Sequence, residues 1–159
     1  MQLCRPACRI YVRQKIGFRT FKHHNLFVKQ PRFVLYADDD TDDKDWVSEA
    51  CAAIDKTLSL IFVENGRQVL DYLLKTGPDQ FPALIVLDLN MPELDGRQTL
   101  RKLKTHPLYQ EIPVAIVTTS TNRIDRDVCR QLGASLFLTK PDTHSEWQTV
   151  IQHFIPFLS

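Results

Sequence analysis

The segment Leu84-Ile85-Val86-Leu87 is an unbroken apolar run that closes on Asp88, and it constrains the fold more than any other feature of the chain. A strand with one wet face alternates apolar and polar residues, whereas a run with no polar member needs apolar cover on both sides. Strands of a parallel sheet flanked by helices meet that need. Comparable segments occupy 33–37, 58–63, 113–118 and 135–139, and the run that ends on Asp88 spans 83–88. The stretches between them carry apolar residues at helical spacing: Val47, Ala50 and Ile54; Leu70, Leu73 and Leu74; Leu100 and Leu103; Ile124, Val128 and Leu132. A last helix is expected from Trp147, Val150, Ile151, Phe154 and Leu158. Gly77-Pro78, His106-Pro107 and Gly133 stand where the earlier helices should stop. This alternation predicts an α/β fold, a doubly wound five-stranded parallel sheet with helices on both faces.

Parallel strands bring their carboxyl ends to one rim, and in open α/β sheets ligands collect there. The residues arriving at that rim are Asp38-Asp39-Asp40, then Asp88, then Thr118-Thr119-Ser120, then Lys140-Pro141. Taken singly, an aspartate there is most often a loop cap and a lysine a solvated loop residue. Together, three carboxylates, a hydroxyl and an ammonium can hold a divalent metal and accept a phosphoryl group. A calcium loop is the competing reading of the acidic run, with Asp38, Asp40, Asp42 and Glu49 at ligand positions 1, 3, 5 and 12. It fails because Asp43 stands where the loop needs its turn glycine, and because the preceding segment is strand-like. Asp42 and Asp43 are expected instead to open the first helix, where negative charge suits its amino end. Thr119 is small enough to leave the rim open, and Ser120 and Thr121 are candidate caps for the fourth helix.

The acidic pair, Asp88 followed by Asn90-Met91-Pro92 and Asp95-Gly96, Thr118, Phe137 and Lys140-Pro141 resemble, in this order, the receiver domain of two-component response regulators. The resemblance runs from Arg32 to about Leu158, and Asp88–Gly96 with Thr118-Thr119-Ser120 look most like stand-alone receivers. It implies a flavodoxin-like (βα)5 fold with strand order 2-1-3-4-5. The first and third strands are then neighbours, so Asp38, Asp39 and Asp88 converge and repel one another until a cation joins them. Oxygen-only ligands at a partly solvated rim suit Mg2+. By resemblance, Asp39, Asp88 and the Asn90 carbonyl would ligate it directly, with Asp38 acting largely through water. Asp88 would take a phosphoryl group from a histidine kinase or histidine phosphotransfer protein. Mg2+, Lys140 and Thr118 would each meet one phosphoryl oxygen. Thr118 and Phe137 would form the switch, relaying the change to the face of the fourth helix, fifth strand and fifth helix. The family also implies a cis peptide after Lys140.

The formal charge of +1 conceals a division. Residues 1–32 hold eight Lys or Arg and no acid, whereas the remainder holds twelve basic and nineteen acidic residues, a formal charge of −7. The expected organisation is a basic extension over 1–31 and a receiver domain over 32–159. The extension is read as a disordered arm, as a contact for nucleic acid or a membrane surface, or as sequence upstream of the true start. Tyr11, Phe18, Phe21 and Phe27 among its cations make a nucleic-acid-contacting regulator the alternative function. No DNA-binding module is expected after the fifth helix, no apolar run approaches a membrane span, and the charges break any secretory apolar core. Cys4, Cys8, Cys51 and Cys129 lack paired metal-ligand spacing, so a reduced, cytoplasmic protein is expected, with Cys51 and Cys129 facing the core. None of His23, His24, His106, His144 or His153 has metal-ligand spacing, so phosphate should come from a partner. The downstream target is not legible, and a homodimer is left open.

Overall fold

The computed structural model of the chain describes residues 33–158; the basic extension read over 1–31 lies outside them. Five strands, β1 (Phe33–Ala37), β2 (Ser59–Val63), β3 (Leu84–Leu87), β4 (Val114–Thr118) and β5 (Leu136–Thr139), form one parallel sheet in the order β2-β1-β3-β4-β5. Helices α1 (Thr41–Ile54), α2 (Gly66–Lys75), α3 (Gly96–Thr105), α4 (Arg123–Gln131) and α5 (Trp147–Gln152) follow the strands in turn. The fold class and strand order are those expected. Every residue of β1, β3 and β4 is buried, as unbroken apolar runs require, while the edge strands β2 and β5 are mostly half-buried.

The alternating side chains of the central strands feed two cores. On one face Leu35, Ile85, Leu87 and Ile116 meet Val69, Leu73, Leu100 and Leu103 of α2 and α3, with Cys129 of α4. On the other, Tyr36, Val86 and Val117 meet Val47 and Ala50 of α1 and Trp147, Ile151 and Phe154 from the carboxyl-terminal region. Leu87, immediately beneath Asp88, is fully buried, and truncating such a side chain costs roughly 2–5 kcal/mol. Cys51 and Cys129 are buried and free, as expected, and burial pushes the Cys51 thiol up to about 12, which keeps it protonated and unreactive.

The last helix is shorter than its apolar spacing predicts. It ends at Gln152, and Phe154 leads into a separate 3-10 turn over Ile155–Phe157. Pro156 supplies the reason: it has no N–H to donate and disfavours helical geometry in the residue before it. Phe154 and Leu158 still reach the core, so the apolar pattern was met by two short elements. The cap expected of Ser120 or Thr121 belongs to Asn122, whose Oδ1 accepts from the Ile124 N–H at 2.9 Å. Gly133, at φ 94°, ends α4 in the left-handed region, with the Ala134 N–H donating to the Cys129 carbonyl. Among the described residues, no helix is long and apolar enough to cross a membrane.

Candidate functional site

The hydrogen-bond ladder runs past the strand ends and holds the rim rigidly. The Asp38 N–H donates to the Val63 carbonyl, the Asp88 N–H to that of Ala37, and the Lys140 N–H to that of Thr118, all within 2.9–3.0 Å. Three residues distant in sequence are thereby brought onto one hydrogen-bonded edge, the condition for a precise site. The two buried aspartates are fixed alike: Asp38 Oδ1 accepts from the Asp40 N–H at 3.0 Å and Asp88 Oδ1 from the Asn90 N–H at 3.2 Å. Each is a turn in which the side chain caps the backbone two residues on. The remaining oxygen of each faces Lys140. Its ammonium lies 2.7 Å from Asp38 Oδ2, 3.0 Å from Asp88 Oδ2 and, unexpectedly, 2.7 Å from Asp43 Oδ2.

Carboxylate oxygens of Asp38, Asp39 and Asp88 lie within 4.8 Å of one another. Asp38 and Asp88 are buried and Asp39 is exposed, so the cluster is held from beneath and open to water above. This donor set fits a hard divalent cation that retains part of its hydration. The electrostatics around Lys140 are unequal. Burial raises the Asp38 carboxyl from 3.8 to about 6 against the opposing attraction of Lys140 and the Asp40 N–H, and the Asp88 charge adds to the rise. Burial works against the Lys140 cation, but the surrounding carboxylates, led by Asp38 and Asp43, outweigh it and hold the ammonium above its ordinary range. One cation shared by three anions is well compensated, whereas the Asp38 anion, fully buried, is not.

Asp43 is the site residue that sequence reasoning placed elsewhere. It does lie in the first turn of α1, as expected, and Asp40 caps that turn by accepting from the Asp42 and Asp43 N–H groups at 2.9 and 3.4 Å. Helical side chains lean toward the amino end, however, and the amino end of α1 sits at the rim. The Asp43 carboxylate therefore leans back over the sheet to Lys140. That lean was the available signal.

Thr118 is buried at the end of β4, its hydroxyl accepting from the Ser120 N–H at 3.3 Å. Ser120 donates in turn to Asp125 Oδ2 at 2.7 Å, and Arg97 of α3 donates to Asp125 Oδ1 at 2.7 Å, so the β4–α4 loop is pinned from both sides. Phe137 is half-buried on the edge strand β5, paired in register with Ile116, and the Arg126 guanidinium of α4 stands 5.2 Å over its ring. Asn90 is exposed above Asp88. The Lys140–Pro141 peptide, expected cis, is trans.

A doubly wound sheet of this order, with an acidic triad, a lysine and a hydroxyl on its carboxyl edge, defines the receiver class of signalling domain. The response regulator receiver domain family matches residues 34–152, and the chain belongs to it. Response regulator Rcp1 of Synechocystis sp. is 33% identical over 113 residues, covering 69% of this chain and 77% of that relative. Among solved structures, the phosphorylated cyanobacterial phytochrome response regulator RcpA aligns with a TM-score of 0.72 and 28% identity, over 80% of this chain and 93% of that one. The Mn2+-bound form of response regulator Rcp1 aligns with a TM-score of 0.69 and 31% identity, over 80% and 94%. Receiver domains of response regulators work with histidine kinases or phosphotransfer proteins in two-component signalling.

Proposed function

We propose that the domain is a phosphorylation switch in which Asp88 takes a phosphoryl group from the phosphohistidine of a kinase or phosphotransfer protein, in the cytoplasm, with Mg2+ as the metal. The observation that carries this reading is the placement of the Asp88 carboxylate between a lysine ammonium at 3.0 Å and two further carboxylates. An Asp88 oxygen would bond to phosphorus as the phosphorus–nitrogen bond of the donor breaks, the imidazole leaving with the electron pair and taking up a proton. Such transfers need little covalent help from the protein and depend on positioning and charge neutralisation. Asp39, Asp88 and the Asn90 carbonyl, with Asp38 through water, would hold Mg2+, which when bound neutralises charge on a phosphoryl oxygen. Lys140 would meet a second oxygen. Thr118, whose hydroxyl accepts from the Ser120 N–H at 3.3 Å, would turn toward a third.

The output side of the proposal rests on Thr118 and Phe137, which lie two residues apart along neighbouring strands. Movement of Thr118 would open space for the Phe137 ring and bias the surface of α4, β5 and α5, where a downstream partner would read it. The organisation we propose remains a receiver domain over 32–159 after a basic extension. The charge of the domain itself does not favour nucleic acid, since residues beyond 32 total twelve basic against nineteen acidic; the basic arm that carries that alternative lies outside the described residues. With Mg2+ and acetyl phosphate, the protein should gain one hydroxylamine-sensitive phosphoryl group, and Asp88→Asn should abolish it. Equal labelling of that variant would overturn the assignment.

A further inference from the structure

We propose that Asp43 is a positioning residue that acts through Lys140, giving the ammonium a seat outside the metal-binding triad so that the Asp38 and Asp88 carboxylates can serve a cation instead. The inference rests on the metal-dependent reading of the site.

An ammonium has three N–H donors and no more. In this structure three carboxylates, Asp38, Asp43 and Asp88, stand at bonding distance from it. Two of them, Asp38 and Asp88, are members of the cluster with Asp39 that fits a divalent cation; Asp43 is not. Lys140 and a metal therefore compete for the same two carboxylates, and like charge drives the ammonium away from them when the metal enters. The Lys140 side chain is 6% exposed, so it cannot retreat into water. A buried ammonium without a counter-ion is among the costliest arrangements a protein can adopt. Asp43, at 2.7 Å on the α1 side, is the anion that lets Lys140 yield Asp38 and Asp88 while remaining paired. The same seat leaves donors free to turn toward a phosphoryl oxygen on Asp88. Asp43 itself is 13% exposed and its backbone N–H is capped into the first turn of α1 by Asp40, so its backbone position does not depend on Lys140.

The test is a double-mutant cycle on Mn2+ affinity, read as free Mn2+ by electron paramagnetic resonance in wild type, Asp43→Asn, Lys140→Met and the double variant. Asp43→Asn should weaken Mn2+ binding by about tenfold when Lys140 is present and by no more than about twofold in the Lys140→Met background, because contacting residues couple. An equal loss in both backgrounds would mean that Asp43 acts only as a general negative charge and would overturn the inference. So would unchanged binding in Asp43→Asn. If wild type binds Mn2+ and is phosphorylated on Asp88 while the cycle shows no coupling, the inference alone fails. If wild type does neither, the functional reading fails with it. Asp43 lies at a helix amino end, where Asn is nearly isosteric; a thermal melt of each variant verifies folding.

Discussion

Removing the Asp38 charge should stabilise the metal-free protein, and do so only above mildly acidic pH. Burial raises the Asp38 carboxyl from 3.8 to about 6 in the folded chain, net of the attraction of Lys140. The folded state then holds the Asp38 proton more tightly than the unfolded state. Between those two values folding takes up a proton, so stability falls as pH rises through the window and levels off above about 6. With 1.36 kcal/mol for each pKa unit, the charged carboxylate costs on the order of 3 kcal/mol at neutral pH. Asn keeps the shape and the acceptor for the Asp40 N–H but carries no charge; its NH2 replaces the oxygen that met Lys140 at 2.7 Å, which offsets part of the gain, while Lys140 keeps Asp43 and Asp88. Asp38→Asn should therefore be more stable than wild type by about 1–3 kcal/mol near neutral pH, with the difference vanishing near pH 4. Urea titrations of metal-stripped protein, followed by the fluorescence of the fully buried Trp147, measure this as a shift in midpoint at constant slope. Adding Mg2+ should stabilise wild type more than the variant. A variant less stable than wild type near neutral pH, or a gain that persists unchanged at pH 4, would refute the argument that burial outweighs Lys140 at this carboxylate.

A Cβ at Gly96 would run into the Asp88 carbonyl oxygen and carbon, backbone atoms that cannot yield, so Gly96→Ala should destabilise by more than about 2 kcal/mol and slow phosphorylation by displacing Asp88. Denaturation and acetyl phosphate labelling measure the two effects. Glu93, exposed in the β3–α3 loop, holds φ 61°, a conformation that disfavours side chains; Glu93→Gly should raise the urea midpoint by the equivalent of up to about 1 kcal/mol. Phe137→Ala should leave Asp88 phosphorylation largely intact and abolish the amide shifts that a beryllofluoride adduct produces over 123–132 in the wild type. Retention of those shifts in the variant would remove Phe137 from the switch.

The strand runs and their closing residues were legible because they are local. A strand buried on both faces must be apolar along its length, and the first polar residue after it must emerge at the rim, so Asp38, Asp88, Thr118 and Lys140 announce their edge without knowledge of the rest of the chain. Helix caps are also nearest-neighbour chemistry, yet the cap of α4 was expected at Ser120 or Thr121 and lies at Asn122, because several adjacent polar residues can each cap and the exact start of the helix selects among them. Even the break in the last helix was written in Pro156, although the apolar spacing of Phe154 and Leu158 pointed the other way. Only the tertiary structure decided which rim charges meet. Asp43 and Asp42 are chemically identical neighbours in one helical turn, yet Asp42 is exposed while Asp43 bonds Lys140. Rotation of α1 against the sheet selects between them, and that rotation is set by burial of Val47, Ala50 and Cys51. The bridge from Arg97 through Asp125 to Ser120 depends in the same way on α3 and α4 standing side by side. Apolar periodicity is set by each segment's own residues, whereas an ion pair between segments exists only once the packing of both has fixed the distance between them.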